Sequence, residues 1–227
     1  ALMVLMPMSG YVDNNETEAT VQSVEADSTG AEEYYPLPEK IAEAEYEYDP
    51  SLELQGMRDA KTKSFLNEDG TITQMVASEP IHYISADGTW EDIDLNIQAY
   101  PEGWGVTENS FTTYFAPELA GGVMVQANEF VDPVVSGINP MLVTLDATGS
   151  APEPFIAAPS PNSVDVGGNV IRYPLAEGFD LDYEVETNQI KQNLILREVP
   201  VIPEAAEYFG ISEGIRMPVG YALFSGE

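Results

Sequence analysis

The residues able to do chemistry in this chain are few in kind and lopsided in number. There is one His and no Cys, and 39 Asp and Glu stand against 8 Lys and Arg. Gly210-Ile211-Ser212-Glu213-Gly214 has the Gly-x-Ser-x-Gly spacing of a nucleophile elbow. That elbow works when a sharp strand-to-helix turn lifts the serine above a sheet, with an acid and a histidine later in the chain. Here 13 residues follow the pentapeptide, none is His, and Pro218 opposes a helix. The pattern therefore reads as a Gly-bounded β-turn; partners beyond Glu227 are its one route to catalysis. His82 is the other candidate. As a base it needs an orienting carboxylate, and Asp92 or Asp94 could face it across paired strands. Its alternation with Ile81 and Tyr83 suits equally a strand histidine satisfied by a neighbour. No catalytic residue is assigned.

Carboxylate pairs such as Asp180, Asp182 and Glu184 recur along the chain, so finding a glycosidase-like pair among so many acids carries no information. Calcium is the better metal reading, because a hard cation takes oxygens from Asp side chains and turn carbonyls. Asp87, Asp92 and Asp94 are its first candidates. Neither the EF-hand spacing nor a repeated β-roll motif is present, and no Gly-rich loop cradles phosphate. Without Cys there is no thiol chemistry, Cys-bound zinc or iron–sulfur cluster. No organic cofactor is called for. Trp90, Trp104 and Tyr100 would be the stacking platform of a carbohydrate-binding module, and they serve as well as core aromatics.

The elements that must position these residues are strands. Two Asp-Gly-Thr turns, Asp69–Thr71 and Asp87–Thr89, divide residues 58–97 into short alternating runs that read as a β-meander. Trp104–Val106, Phe111–Phe115 and Val123–Val125 continue this first β block over residues 58–130. Residues 131–162 are Pro-rich, with one strand at Met141–Leu145; they are a connection between blocks or a long loop within one sandwich. The second block is 163–227. In it Phe179, Leu181, Tyr183 and Val185 alternate with Asp180, Asp182, Glu184 and Glu186, the pattern of a half-buried strand with a wet acidic face. Glu186-Thr187-Asn188 turns that strand into Gln189–Leu196. The fold class is all-β, an antiparallel sandwich-like architecture in two blocks.

Residues 11–57 carry thirteen acids against Lys40 alone through Asp49 and Glu53, and are expected to be disordered. Residues 1–10, an apolar run followed by small and polar residues, read as the remnant of a signal peptide. The second block reads as continuing past Glu227.

Three runs carry a family resemblance: Lys63-Ser-Phe-Leu-Asn-Glu-Asp-Gly-Thr71, Ser78-Glu-Pro-Ile-His-Tyr83 and Asp87-Gly-Thr-Trp-Glu-Asp-Ile-Asp94. Together with Asp180–Glu198 they resemble the opening β-rich region of large secreted and wall-associated prokaryotic proteins, which often bear RHS-type or other repeat modules downstream. The resemblance covers about residues 58–227. It implies an extracellular all-β region and carries no catalytic residue.

The net charge of −31 excludes nucleic acid as a partner, since phosphate binding needs the Lys and Arg that this chain lacks. It opposes adhesion to anionic lipid for the same reason. It suits a surface solvated in saline water, and secondarily divalent cations. The expected function is a non-catalytic structural or interaction region, secreted or at the cell surface, of a larger protein. Its expected partners are other domains of that protein and surface glycans, with no membrane insertion. The alternatives are an accessory region of a secreted hydrolase or a carbohydrate-binding module.

Overall fold

The structure, a computed structural model, describes residues 2–7, 37, 49–127, 132–146, 153–155, 163–197, 199–201, 203, 206 and 208–219. The chain is all-β there: strands and three short 3₁₀ turns, with no α-helix among the described residues. Most of the acidic stretch expected to be disordered, and residues 8–10, lie outside the described residues.

Strand β1 (Leu2–Pro7) falls within the stretch read as a signal-peptide remnant. The next elements are two hairpins. Strands β2 (Thr62–Leu66) and β3 (Ile72–Val76) form one, and β4 (His82–Ile84) and β5 (Trp90–Asp92) the other. The Asp-Gly turns supply the positive φ, 81° at Gly70 and 86° at Gly88. The expected continuous meander is thus broken, since β3 and β4 do not pair. Glu79-Pro80 stands between them, and the amides of Ile81 and His82 turn to the Ala60 carbonyl instead. The acidic segment also ends sooner than residue 57. Glu53 bridges to Phe65 and is buried against Arg58, which gives that carboxylate the partner it lacks in the segment before it.

Strands β6 (Gln98–Tyr100), β7 (Gly103–Val106), β8 (Phe111–Phe115) and β9 (Val123–Ala127) run as successive antiparallel neighbours. Strand β10 (Val134–Leu145) adds to β9 and is 12 residues long. The Pro-rich connection therefore holds a central strand, with short β11 (Glu153–Pro154) along its far half. Two register shifts hide it from a period-of-two reading, and they fall around Gly137 and Asn139, whose φ values are 65° and 48°. A Cβ on Gly137 would lie 2.4 Å from the Tyr183 hydroxyl, so close approach of the opposite sheet also requires glycine there.

Strands β12 (Asp165–Gly167), β13 (Val170–Ala176), β14 (Phe179–Val185) and β15 (Ile190–Leu196) make a four-stranded sheet in sequence order. The last strand, β16 (Tyr208–Arg216), leaves it and pairs with β10 and β1 in the large sheet, order β1-β16-β10-β9-β8-β7-β6. The two sheets share one core. Val106, Phe115, Val123, Leu142, Phe209 and Ile211 from the large sheet meet Ile171, Tyr173, Phe179, Leu181, Tyr183 and Val185 from the small one. Each such side chain contributes about 1.5–3 kcal/mol by leaving water. The Tyr173 hydroxyl donates across the gap to the Ala116 carbonyl at 2.5 Å.

The β14–β15 hairpin has Phe179 opposite Leu196 and Leu181 opposite Leu194, with Glu186–Gln189 closing the turn. Its acidic face is only partly wet, however, since Glu184 and Glu186 are half-buried. Asp180 and Asp182 are buried. Arg172 grips Asp182 with two hydrogen bonds of 2.8 and 2.7 Å, and Arg197 grips Asp180 through Nε at 2.7 Å. In these pairs the Asp182 and Asp180 side chains are only 8% and 1% exposed. Alternation shows which face points away from the core but not what covers that face.

Leu181→Asp should unfold the sandwich, losing about 4 kcal/mol or more through lost burial and a stranded carboxylate. Asp182→Asn should cost about 1.5–3 kcal/mol, because it removes a charged, hydrogen-bonded partner of Arg172. Urea denaturation of the two variants checks both, and an Asp182→Asn midpoint equal to that of the parent would show the pair to be incidental.

Candidate functional site

His82 and Asp92 stand directly opposite each other where β4 begins and β5 ends. The ring is fully covered, and its Nδ1 lies 2.6 Å from the Asp59 carbonyl. A carbonyl only accepts, so Nδ1 carries the donated proton. Nε2 lies 3.4 Å from Asp92 Oδ1 and makes no hydrogen bond. The same carboxylate takes Lys63 Nζ on Oδ1 and Arg58 Nη2 on Oδ2 at 3.2 Å. Arg58 also forks onto Glu53 at 2.7 and 2.8 Å, and its Nη1 donates to the Trp90 carbonyl at 3.2 Å. Glu53, Arg58 and Lys63 are nearly covered, whereas the Asp92 side chain is 55% exposed.

This constellation joins the two hairpins and the 3₁₀ turns before them, Pro50–Leu52 and Gln55–Met57. A general base must reach a substrate proton. The covered ring of His82 does not, and the mouth over it is filled by Asp92 with two cations. Burial opposes ionisation of Asp92. The hydrogen bond from Lys63 and the charges of Lys63, Arg58 and His82 outweigh it and hold the carboxyl below its usual range.

Ser212 lies inside β16, opposite Met3 on one side and Met141 on the other. The Gly-x-Ser-x-Gly segment is therefore neither an elbow nor the expected turn, but strand. Its Gly214 faces the irregularity in β10, where a Cβ would be 3.3 Å from the backbone and side chain of Ile138. No hydrogen bond among the described residues joins Ser212 to His82.

The calcium candidates are each committed separately. Asp87 Oδ1 accepts from the Ser85 and Thr89 hydroxyls at 2.6 and 2.8 Å and so closes its own turn. Asp94 Oδ1 accepts from Asn96 N and Nδ2 at 2.9 and 2.6 Å. Asp92 holds the cations just described. No group of three or more His, Asp or Glu able to hold a metal occurs among the described residues.

A second place is a groove of about 920 Å³ on the outer face of the large sheet. The register of five strands builds its floor. Gly105 is opposite Tyr114, Tyr114 opposite Met124, Met124 opposite Val135, and Val135 opposite Arg216. Directly opposed residues project to the same side, so this is one continuous transverse row. A Cβ on Gly105 would lie 2.6 Å from the Thr113 carbonyl, 3.1 Å from the Tyr114 ring and 3.3 Å from that of Tyr100, so the neighbouring backbone and both rings close over the glycine. Their centroids are 5.8 Å apart at 73°. Tyr100 and Tyr114 remain 38% and 37% exposed. Glu102, Asp132 and Arg216 stand along the groove.

Trp90, Trp104 and Tyr100 are not one platform. Trp90 is in the β4–β5 hairpin, whereas Trp104 lines the groove with Tyr100 but lies on the same side of β7 as Val106 and packs partly into the core. Tyr100 keeps an exposed partner, but that partner is Tyr114. Tyr114, Met124, Val135 and Arg216 were missed because only the register brings them into line. No family model matches the chain, and no match was found among curated proteins or solved structures.

The depressed pKa of Asp92 fixes a sign. An unfolded aspartate titrates near about 3.9. The stability that Asp92 lends the hairpins is complete above that pH and is lost as pH falls through its lower native value. Protection factors of the β4 and β5 amides, referenced to intrinsic exchange at each pH, should therefore fall on acidification below about pH 4, and Asp92→Asn should flatten that local dependence. Because Asp87, Asp92 and Asp94 serve different partners, millimolar calcium should move the melting temperature no further than sodium of equal ionic strength. A calcium-specific rise abolished by Asp92→Asn would refute this.

Proposed function

We propose that the chain is a non-catalytic structural and interaction region of a larger extracellular or cell-surface protein. The groove on the outer face of the large sheet is its contact surface. The observation that carries this reading is the transverse row from Gly105 to Arg216, which places apolar and aromatic side chains on a face that no second sheet among the described residues covers. The residues with catalytic potential have other duties. His82 is bound into the clasp between hairpins, and Ser212 is a strand residue. The similarity to the opening β-rich regions of large secreted and wall-associated prokaryotic proteins supports the location, as does the charge of −31. No helix among the described residues is long and apolar enough to cross a membrane.

Protease shaving of intact source cells tests the location. Peptides of residues 58–219 should be released before the cells lyse. Their appearance only after lysis would sink the extracellular reading. The acidity makes a parallel prediction: melting temperature should climb as sodium chloride is raised from low salt toward about 0.5 M, because screening shortens the reach of self-repulsion. Differential scanning calorimetry reads this directly.

A further inference from the structure

We propose that the Tyr100–Tyr114 end of the groove binds an alkylammonium cation, and a quaternary ammonium group above all. This rests on the groove being the contact surface and gives that surface a ligand. Two tyrosine rings 5.8 Å apart at 73° form a corner, not a platform. A sugar stacks its flat face on flat rings, and a corner offers it only one. A compact cation can lie near both, since attraction to an aromatic face extends to about 6 Å from the ring centroid.

Charge points the same way. Glu102, two residues from Tyr100, borders this end of the groove, and the whole chain carries −31. That field raises the local concentration of cations and repels anions. The opposing charge is Arg216, on the same row as Tyr114 but beyond Met124 and Val135. Three strand spacings separate them, about 14 Å, which exceeds the physiological screening length of about 8 Å. Met124 supplies an apolar floor beside the corner. Methyl groups on nitrogen suit such a floor, whereas a bare ammonium gives up strong hydration to enter it.

Titration calorimetry of the whole chain with choline tests the proposal. The controls are its neutral isostere, in which carbon replaces the ammonium nitrogen, and a neutral hexose oligosaccharide. Choline should bind, with the isostere at least about tenfold weaker. Tyr114→Leu should weaken choline at least about tenfold and Glu102→Gln by about threefold, while Arg216→Gln should leave it no weaker. Glu102→Gln changes an exposed side chain, so it reports on the site even if Tyr114→Leu unfolds. Equal binding of choline and isostere would overturn the proposal, as would failure of the folded chain to bind choline. Oligosaccharide binding that Tyr114→Leu abolishes, without choline binding, would overturn the cation and keep the groove as a contact surface.

Discussion

The pairing of β10 with β16 is the constraint on which the rest of the molecule depends. Strand β16 follows the four strands of the small sheet, yet it hydrogen-bonds in the large one. That crossing obliges the small sheet to lie over the large sheet, and it delivers Phe209 and Ile211 to the interface. Phe209 then meets Phe179 at 5.6 Å and Phe155 at 5.2 Å, while Phe155 and Phe179 meet at 5.8 Å. Three rings from β14, β16 and the end of β11 close this part of the core. A sheet ending at β10 would expose the inner faces of Leu142 and Phe115, so the two blocks depend on each other for burial. This is one sandwich with an appended pair of hairpins, tied on by the Asp94–Glu108 bridge and by the Ile97 amide on the Gly168 carbonyl.

The few cations are placed with the acids that burial would otherwise strand. Arg58 serves Glu53 and Asp92, Lys63 serves Asp92, Arg172 serves Asp182, and Arg197 serves Asp180. An unpartnered buried carboxylate costs several kcal/mol, and a paired, hydrogen-bonded one much less. With half of its 8 basic residues used in this way, the chain has few left to neutralise its surface. Salt screens the unpaired outer acids far more than these covered pairs.

Much of the fold was legible because it rests on local signals. The Asp-Gly turns, the strands over Trp104–Val106 and Phe111–Phe115, and the register of the Phe179–Leu196 hairpin follow from turn chemistry and alternation. What was not legible depends on residues distant in sequence. Strand β10 is interrupted by Gly137, Asn139 and Pro140, which read as loop until β16 is seen to bridge them. Asp180 and Asp182 alternate like surface residues, and nothing nearby announces Arg172 and Arg197 as their covers. His82 facing a carboxylate was legible, with Asp92 and Asp94 both open, and the register of the hairpin selects Asp92. That the pair also holds Arg58 and Lys63 was not. The groove was legible only in Tyr100 and Trp104, because its row draws one residue from each of five strands.

The outer faces of the two sheets solve one problem in opposite ways. On the small sheet the residues pointing away from the core are Arg172, Asp182, Asn193, Glu184 and Lys191; the Arg172–Asp182 pair is covered, and Asn193 and Lys191 meet solvent as polar residues. On the large sheet the corresponding row is Tyr114, Met124 and Val135, with Tyr114 exposed and Met124 and Val135 half-buried, and no second sheet among the described residues lies over it. Stability does not call for that choice: Thr, Gln or Lys would hold a solvent-facing strand position as well as Met or Tyr, without exposing apolar surface. The glycine at the end of the row has a reason in the fold, since a Cβ on Gly105 would lie 2.6 Å from the Thr113 carbonyl, and the same space lets the rings of Tyr100 and Tyr114 meet over it. An apolar row that no sheet among the described residues covers, with two half-exposed rings at its end, favours binding over folding, and that is why the contact surface belongs on this face and not on its charged counterpart.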